Sequence, residues 1–304
     1  MINFQRLDLN NKAQYDDYLM HCGERGCEYS FSNLFLWGRQ KAAFVEDRLV
    51  LFSQFDRRSV YPFPVGRGDP KLSLDALIQD ARERGIPCYL TSMTAQDRST
   101  LEALYPGQFH IYTDRDTFDY LYSINDLADL KGRKYQKKRN HIHRFEETHP
   151  DCRVLPLDET TRVAAFTMLG QWYQDHKQAN PHMDFHLEEL ALQRAFAFQA
   201  QLGLEGLVLM EDGKALAFTM GSRLNEDTFD IHFEKAVDTA DGAYPAINRA
   251  FARYLREKYP ELRWLNREDD LGLEGLRKAK LSYYPDHMVE KYWARLWEEE
   301  DEHH

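Results

Sequence analysis

The most regular alternation of apolar and polar positions lies in residues 229–235, and an amphipathic helix follows it closely. Because successive side chains of a strand point to opposite faces, a strand here would have one apolar and one ionisable face. These faces would consist of Phe229, Ile231 and Phe233 on one side and Asp230, His232 and Glu234 on the other. Apolar residues then recur at helical spacing, at Ile247, Phe251 and Tyr254. The pattern predicts a strand, a polar loop over residues 238–242 and a helix that ends near Lys258.

The junction between this strand and this helix is the first candidate site. Pro245 fits the first turn of a helix, because the N–H that proline lacks would have no partner there. The remaining free N–H groups and the positive end of the helix dipole would attract an anion. Beside a polar strand face, this arrangement suits a donor that carries phosphate groups. An ordinary buried strand and helix with a hydrogen-bonded polar face would explain the same pattern.

The two halves of the chain predict similar orders of strands and helices. The first half predicts strands over 43–46, 48–55, 60–65, 88–91, 109–112 and 117–123, and helices over 72–84 and 95–104. The second half predicts strands over 153–155, 206–211, 214–223, 228–236, 262–266 and 288–295, and helices over 159–176, 186–202 and 271–281. We therefore predict an α/β protein with two tandem mixed-sheet domains. The predicted boundaries are 1–125 for the first domain, 126–150 for a bridging helix and 151–304 for the second domain, which would carry the site.

Composition limits the class of protein. A chain of 304 residues with 43% hydrophobic content can bury a large core and suggests two domains. The net charge of −11 argues against a general nucleic-acid coat but permits a local basic site. No apolar run is long enough to span a bilayer and residues 1–10 do not resemble a secretory signal, so we expect a soluble, cytoplasmic protein. The four cysteines are scattered, so we expect reduced thiols and no metal site.

Positive charge is concentrated in residues 131–144. Its cations are Lys131, Arg133, Lys134, Lys137, Lys138, Arg139 and Arg144. Like charges three and four positions apart on a helix repel each other by roughly 0.2–0.5 kcal/mol per pair. An anionic partner such as RNA would remove that repulsion. A solvated helix balanced by acidic residues elsewhere is the alternative interpretation.

Four stretches of the chain carry a likeness to a known family. They are the basic segment from Leu130 to Phe145, the residues from His232 to Ala236, the group Gly242-Ala243-Tyr244 with Ile247-Asn248, and the residues from Asn266 to Pro285. Together they resemble bacterial proteins with the C-terminal domain of phosphatidylglycerol lysyltransferases, over most of the chain.

The resemblance implies two tandem domains of the acyl-CoA N-acyltransferase (GNAT) type. It also implies a relation to the Fem peptidyltransferases, in which an aminoacyl group moves from tRNA to an acceptor. This chain departs from the family in lacking the membrane-embedded half of the lysyltransferases, which weakens the case for a lipid acceptor. Residues 238–243 contain two acids and one glycine instead of the glycine-rich phosphate loop of acetyl-CoA enzymes. Acids repel a pyrophosphate, so this departure weakens the case for acetyl-CoA.

Acyl transfer requires that the protein align two substrates, accept a proton and stabilise an oxyanion. His232 and Glu234 share a strand face and could act as base and orienter. Asn266 and Glu268 follow the neighbouring strand, where polar side chains would meet the same cleft. These four are the candidate catalytic residues. A core histidine bonded to Asp230 or Glu234, and a solvated Glu268 beside a helix cap, are the alternatives.

Two further groups of residues are candidates for binding the donor. On the resemblance, the cofactor-binding candidates are Gly242, Ala243, Tyr244, Asn248, Lys278 and Lys280. The candidates for contact with nucleic acid or another anion are Arg133, Lys134, Lys137, Lys138, Arg139 and Arg144. Ordinary surface lysines are the alternative interpretation of Lys278 and Lys280.

Three functions remain open at this point. The first is an acyltransferase that moves an aminoacyl group from aminoacyl-tRNA, bound through the basic helix, to an amine or hydroxyl. The acceptor would be a small molecule, a lipid headgroup or a peptide. The second is an acetyl-CoA-dependent N-acyltransferase, and the third is a non-catalytic GNAT-like binding protein. No cofactor is certain, and the donor is either aminoacyl-tRNA or acetyl-CoA.

Overall fold

The computed structural model of the protein describes residues 1–23, 26–55, 58–179 and 184–297. The chain divides into two compact units by its internal contacts. Unit 1 contains residues 1–119 and 269–277 and the residues from 288 onward, and unit 2 contains residues 120–268 and 278–287. Within the described ranges, no helix is both long enough and apolar enough to cross a membrane.

Unit 1 is built on a mixed sheet covered by helices. Its helices are α1 (Lys12–Leu19), α2 (Phe31–Trp37), α3 (Lys71–Arg84) and α4 (Ala95–Leu104). Its strands are β1 (Gln5–Arg6), β2 (Gln40–Val45), β3 (Arg48–Phe55), β4 (Arg58–Pro62), β5 (Val65–Gly66), β6 (Tyr89–Met93) and β7 (Phe109–Thr113), with β15 (Tyr292–Leu296) added from the end of the chain. The strand order is β1-β2-β3-β4-β6-β15-β7, with β5 paired to β3. Leu74, Leu77 and Ile78 of α3 pack in the core with Val50, Tyr61 and Leu90 of the sheet.

A buried ion cluster lies just before β15. The ammonium of Lys291 is 2.7 Å from Asp119 Oδ1 and 2.8 Å from Glu28 Oε2. Lys291 is 6% exposed and Asp119 is fully buried. Burial alone would lower the pKa of Lys291, but the two carboxylates hold it well above its ordinary value. This cluster joins the C-terminal segment to the body of unit 1.

Unit 2 contains the alternating segment 229–235 and the amphipathic helix that follows it. Its helices are α5 (Ile124–Asp129), α6 (Gln136–Thr148), α7 (Arg162–Ala179), α8 (His186–Ala197), α9 (Gln199–Leu202), α10 (Ala243–Lys258) and α11 (Glu274–Leu281), the last of which begins in unit 1. The strands of the second sheet are β8 (Asp119–Ser123), β9 (Arg153–Pro156), β10 (Glu205–Glu211), β11 (Lys214–Arg223), β12 (Thr228–Ala236), β13 (Trp264–Asn266) and β14 (His287–Val289). Their order is β14-β8-β13-β12-β11-β10-β9.

The predicted fold class, α/β with two mixed sheets, is confirmed, because each sheet contains a parallel pair as well as antiparallel ones. The strands at 214–223 and 228–236 and the helix at 95–104 have the predicted bounds. The single helix predicted over 186–202 is wrong, because the chain leaves helical geometry at Phe198 and forms two helices. The basic helix begins at Gln136 after a 3₁₀ turn over Arg133–Tyr135.

The predicted domain boundaries differ from the division of the chain by contacts. The sequence predicts one domain over 1–125 and another over 151–304, whereas unit 1 also contains residues 269–277 and those from 288 onward. The residues from 288 onward belong to unit 1 because β15 lies between β6 and β7 and hydrogen-bonds to both. In the segment 269–277, Arg277 pairs with Asp116 of the same unit. The bridging helix predicted over 126–150 lies within unit 2. Residues 298–304, for which the acidic sequence with two terminal histidines predicts disorder, lie outside the described residues.

Candidate functional site

The site begins where β12 separates from its parallel neighbour β13. The two strands pair only from Thr228 with Trp264 to Asp230 with Asn266, and β12 then continues alone on that side to Ala236. On its other side β12 carries a bulge, because Ile231 pairs with Gly221 and Phe233 with Met220, which leaves His232 as the extra residue. A Cβ at Gly221 would lie 2.1 Å from the carbonyl oxygen of Asp230, so glycine is required for this approach.

His232 lies in a buried polar cluster. Its Nε2 is 2.8 Å from Ser222 Oγ, and its Nδ1 is 3.2 Å from Glu268 Oε1 and 3.4 Å from Asp230 Oδ2. The imidazole is 1% exposed and Asp230 is fully buried. His232 therefore does not touch solvent in this conformation. The structure brings His232 and Glu268 together, as predicted from their neighbouring strands.

Glu234 belongs to a different group of side chains and does not contact His232. Its Oε1 accepts a hydrogen bond from Arg267 Nη2 at 2.8 Å, and its Oε2 accepts one from Asn248 Nδ2 at 3.1 Å. The amide nitrogen of Asn248 must face Glu234, because the amide oxygen would be repelled by the carboxylate. His232 and Glu234 therefore do not form the predicted pair of base and orienting group, but belong to two separate clusters. One cluster surrounds His232. The other is formed by Glu234, Arg267 and Asn248, and we call it the Glu234–Arg267 pocket.

Aromatic rings and two lysines surround the Glu234–Arg267 pocket. The guanidinium of Arg267 lies 4.8 Å from the Tyr283 ring centre and 5.6 Å from that of Tyr122. Burial acts to lower the pKa of Arg267, but Glu234 and the two tyrosines raise it above its ordinary value. Lys138 Nζ lies 3.7 Å from the Tyr283 ring centre, and Lys280 Nζ donates to the carbonyl oxygen of Arg267 at 2.5 Å. The pocket therefore concentrates positive charge around one carboxylate.

Two buried polar atoms of this pocket are left without partners. Arg267 Nη1 and Asn248 Oδ1 have no hydrogen-bond partner in the part of the chain that the structure describes. Asn248 is 1% exposed. Unpaired buried groups cost about 1–3 kcal/mol each, so they are uncommon unless a ligand or water completes them. A group that offers one hydrogen-bond acceptor to Arg267 and one donor to Asn248 would complete both atoms.

The start of α10 differs from the predicted exposed anion site. Gly242 and Ala243 are buried, and Gly242 packs against the backbone of His141 on α6. Asp241 is held by Arg144 at 2.8 Å and by His141 at 3.3 Å. These contacts cover part of the helix start and place a carboxylate beside it, and that negative charge disfavours a phosphate there. Tyr244, in the first helical turn, is 38% exposed as a whole residue, but the groups packed around its hydroxyl desolvate it and raise its pKa to about 12.

Replacing Gly242 by alanine will destabilise the protein by about 2–5 kcal/mol. Alanine is strained at the positive φ of this position, and its Cβ would overlap with a neighbouring atom. The φ of Gly242 is +88°, and a Cβ there would lie 2.3 Å from the carbonyl oxygen of His141. Gly213→Ala is the matched control, because its φ is +76° with no heavy atom within 4 Å of the added Cβ. It should cost only about 1 kcal/mol. Urea unfolding compares the two, and equal losses would show that α6 does not pack closely here.

Three of the seven cations of the basic segment are paired with carboxylates within unit 2. Lys131 pairs with Asp129, Lys134 with Asp126 and Arg144 with Asp241. Arg139 donates to the carbonyl oxygens of Leu130 and Gly132. Arg133 and Lys137 are exposed and form no ion pair within the described ranges. Of the predicted anion-binding residues, Arg133 and Lys137 are therefore the most available to a partner.

The remaining predicted residues are divided between the surface and the interior. Lys278 is exposed on α11, whereas Lys280 is 8% exposed and reaches the pocket. Asn266 is fully buried, and its Oδ1 accepts the backbone N–H of Glu268 at 2.7 Å. Sequence analysis missed Arg267, although a cation directly after a short buried strand is a signal that could have found it. Tyr122 and Tyr283 come from distant segments and gave no local signal.

The sequence matches a known protein family and one curated protein. A sequence model described as "Phosphatidylglycerol lysyltransferase, C-terminal" matches residues 21–295. An uncharacterized protein of Mycoplasmoides gallisepticum, MYCGA3080, is 25% identical over 59% of this chain. The match spans 56% of the length of that protein.

Solved structures agree over nearly the whole chain. A conserved protein of unknown function from Bacteroides thetaiotaomicron is 38% identical with a TM-score of 0.91, covering 98% of this chain and 100% of the other. The structure of L-PGS from Bacillus licheniformis has a TM-score of 0.63 at 17% identity, covering 96% and 93% of the two chains. FemX has a TM-score of 0.61 at 10% identity, covering 97% and 98%. These last two similarities confirm the predicted tandem GNAT-like fold.

Proposed function

Because this chain belongs to the phosphatidylglycerol lysyltransferase C-terminal family, we propose that it is an acyltransferase that moves an aminoacyl group from aminoacyl-tRNA to an amine or hydroxyl. The observation that carries this proposal is the Glu234–Arg267 pocket, in which one buried donor and one buried acceptor are unfilled. An aminoacyl ester offers the complementary pair, namely a carbonyl oxygen and an α-amino group. The carbonyl oxygen would accept from Arg267 Nη1, and the amino group would donate to Asn248 Oδ1.

The chemistry follows from this placement. When the acceptor attacks the ester carbon, negative charge develops on the carbonyl oxygen, and Arg267 is in place to stabilise it. Glu234 holds Arg267 through Nη2 and Asn248 through Nδ2, so both reacting contacts are fixed before the substrate arrives. The tyrosine rings of residues 122 and 283 limit access of water to the guanidinium. Glu234 and Asn248 act as positioning residues, and Arg267 is the catalytic residue.

Two observations favour tRNA over CoA as the donor. The family's name denotes transfer of a lysyl group. In addition, the start of α10, where a pyrophosphate would be expected to bind, is covered by α6 and flanked by Asp241. A CoA-dependent reaction would need its phosphates bound elsewhere. Arg133 and Lys137 are the proposed contacts with the tRNA backbone.

A panel of charged tRNAs tests the proposed reaction. Each tRNA, charged with one labelled amino acid, is incubated with excess protein and a mixture of candidate acceptors that includes amines, phospholipid headgroups and peptides. We expect at least one aminoacyl-tRNA to lose its label faster than in protein-free buffer, with the label recovered on an acceptor. A rate equal to that of the buffer for every amino acid would refute the proposal. Binding of an aminoacyl-tRNA without turnover would instead indicate a non-catalytic binding protein.

Reversing the charges at Arg133 and Lys137 should weaken tRNA binding and its dependence on salt. Each lost phosphate contact reduces the slope of log K against log[salt] by about 1, so the double change to glutamate should reduce it by about 2. The matched control reverses Lys41 and Lys214, which are exposed lysines outside the basic segment. Fluorescence anisotropy over a salt series measures both slopes. Identical slopes for the two double variants would exclude this segment as the tRNA contact.

A further inference from the structure

Lys138 differs from the other cations of the basic segment in what surrounds it. Its Nζ lies in the Glu234–Arg267 pocket, 3.7 Å from the Tyr283 ring centre and 2.7 Å from Ser282 Oγ. Within the described residues it forms no ion pair with a carboxylate, whereas Lys131 and Lys134 each do. It is half-buried, and among the charges around it the guanidinium of Arg267 has the largest effect on its pKa, which it lowers. The pocket thus contains a lysine whose positive charge is poorly compensated.

The hydrogen bond of Lys138 does not require a protonated amine. Ser282 Oγ donates its proton to the carbonyl oxygen of Ala279 at 2.6 Å, so it must accept from Lys138. A neutral amine retains two N–H bonds and gains a lone pair. Lys138 can therefore lose a proton, keep its bond to Ser282 and direct the lone pair into the pocket.

The surroundings also favour the neutral form. Burial, followed by the repulsion of Arg267, lowers the pKa of Lys138 to about 8, while Glu234 acts in the opposite direction. A fraction of the protein therefore carries a neutral Lys138 near neutral pH. A proton acceptor is most effective when its pKa lies near the working pH.

We propose that Lys138 accepts the proton of the attacking amine or hydroxyl, an inference that rests on the proposed aminoacyl transfer. The nitrogen or oxygen of the acceptor forms a bond to the ester carbon, and the carbonyl electron pair moves onto the oxygen beside Arg267. The proton of the acceptor moves to the lone pair of Lys138 Nζ. When the intermediate collapses, the bond to the ribose oxygen breaks, and Lys138 returns the proton to that leaving oxygen. No further reactant is required.

The other ionisable groups near the pocket are less suited to this step. The imidazole of His232 is 1% exposed and its two nitrogens face Ser222, Asp230 and Glu268. Both oxygens of Glu234 accept hydrogen bonds from Arg267 and Asn248. Lys280 donates to the backbone carbonyl oxygen of Arg267 and holds the turn after β13. Lys138 is instead hydrogen-bonded to a hydroxyl and lies 3.7 Å from the ring centre of Tyr283, which also packs against Arg267, so its amine can be deprotonated without losing that bond.

The protonation of Lys138 can be measured without activity. The protein is prepared with lysine labelled with ¹³C at Cε, and the chemical shifts are followed between about pH 6 and pH 11, which spans the ordinary lysine titration. One signal should titrate with a midpoint of about 8 and should be absent in Lys138→Arg. Replacing Arg267 by methionine should raise that midpoint, because it removes the repelling cation. A signal of Lys138 that titrates near the ordinary value of about 10.4 would overturn the inference.

The pH dependence of transfer then connects that titration to the reaction. The single-turnover rate of the wild-type protein should rise with pH and level off above the midpoint found by NMR. Lys138→Arg and Lys138→Met should both lose about 100-fold or more of that rate and the dependence on this midpoint. Lys177→Met is the control, because Lys177 also lies near a tyrosine ring, 5.8 Å from that of Tyr173, but is paired to Glu189. This control should retain the wild-type profile.

The outcomes separate the two claims. A midpoint of about 8 for Lys138, together with a wild-type pH profile in Lys138→Arg, would refute the role in proton transfer and leave the proposed function standing. A failure of the wild-type protein to deacylate any tRNA would refute the proposed function, and the catalytic role of Lys138 with it, whatever the NMR midpoint.

Discussion

Replacing Arg267 by lysine will lower the single-turnover rate of aminoacyl transfer by about 100- to 1000-fold, the usual effect of losing one donor to a developing oxyanion. Lysine keeps a positive charge beside Glu234, but it has no second nitrogen in the position of Arg267 Nη1. That nitrogen is the buried donor without a partner among the described residues. The ion pair is thus largely retained, and the contact proposed for the reaction is lost.

The control for this prediction is Arg249→Lys on α10. Arg249 pairs with Glu146 at 2.7 Å, as Arg267 does with Glu234 at 2.8 Å, but Glu146 is 57% exposed. The rate of Arg249→Lys should equal that of the wild-type protein. Urea unfolding of both variants checks that a loss of rate is not a loss of folded protein. An Arg267→Lys variant that is folded and fully active would show that Arg267 does not stabilise the reacting oxygen.

Replacing Lys291 by methionine will reduce the free energy of unfolding by about 3–5 kcal/mol, as expected when one partner of a buried ion pair is removed. Lys291 contacts both Asp119 and Glu28, and Asp119 is fully buried. Without the ammonium, the two carboxylates repel each other in a region of low dielectric constant. Because this lysine precedes β15, the C-terminal segment should be released first, and hydrogen exchange of β15 should accelerate.

Lys71→Met provides the surface comparison for Lys291→Met. Lys71 pairs with Asp75 at 2.8 Å, and both side chains are almost half exposed. A pair of this kind contributes at most about 1 kcal/mol. The double variant Lys291→Met with Asp119→Asn should recover part of the loss, since it removes one of the repelling charges. Equal effects of Lys291→Met and Lys71→Met would mean that water reaches the cluster.

The local pattern predicted the elements around the site better than it predicted the site itself. Alternation along residues 228–236 and the helical spacing after Pro245 gave β12 and α10 almost to the residue. The same alternation placed His232 and Glu234 on one open face. A bulge and the early end of β13 change this, because they bury His232 and leave Glu234 to Arg267. Bulges depend on contacts between strands, which a single strand's pattern does not contain.

The distribution of charge along the sequence identified the basic segment, but it did not show which of its cations are paired with carboxylates. Lys131, Lys134 and Arg144 look identical to Lys138 in the sequence, yet each of the three has a carboxylate partner. Those partners lie in other segments or just before the helix, so counting cations overstated the free charge. Arg267 was missed for a similar reason, because its significance comes from Glu234, which is 33 residues away in sequence.

The most direct test of the account is a competition between donors. Wild-type protein is given the acceptors of the charged-tRNA panel together with a mixture of aminoacyl-tRNAs carrying one isotope and acetyl-CoA carrying another. We expect the isotope on tRNA to move to the acceptor, at a rate that Arg267→Lys reduces, while the acetyl label stays on CoA. Transfer of the acetyl label, with the aminoacyl label left on tRNA, would contradict the account.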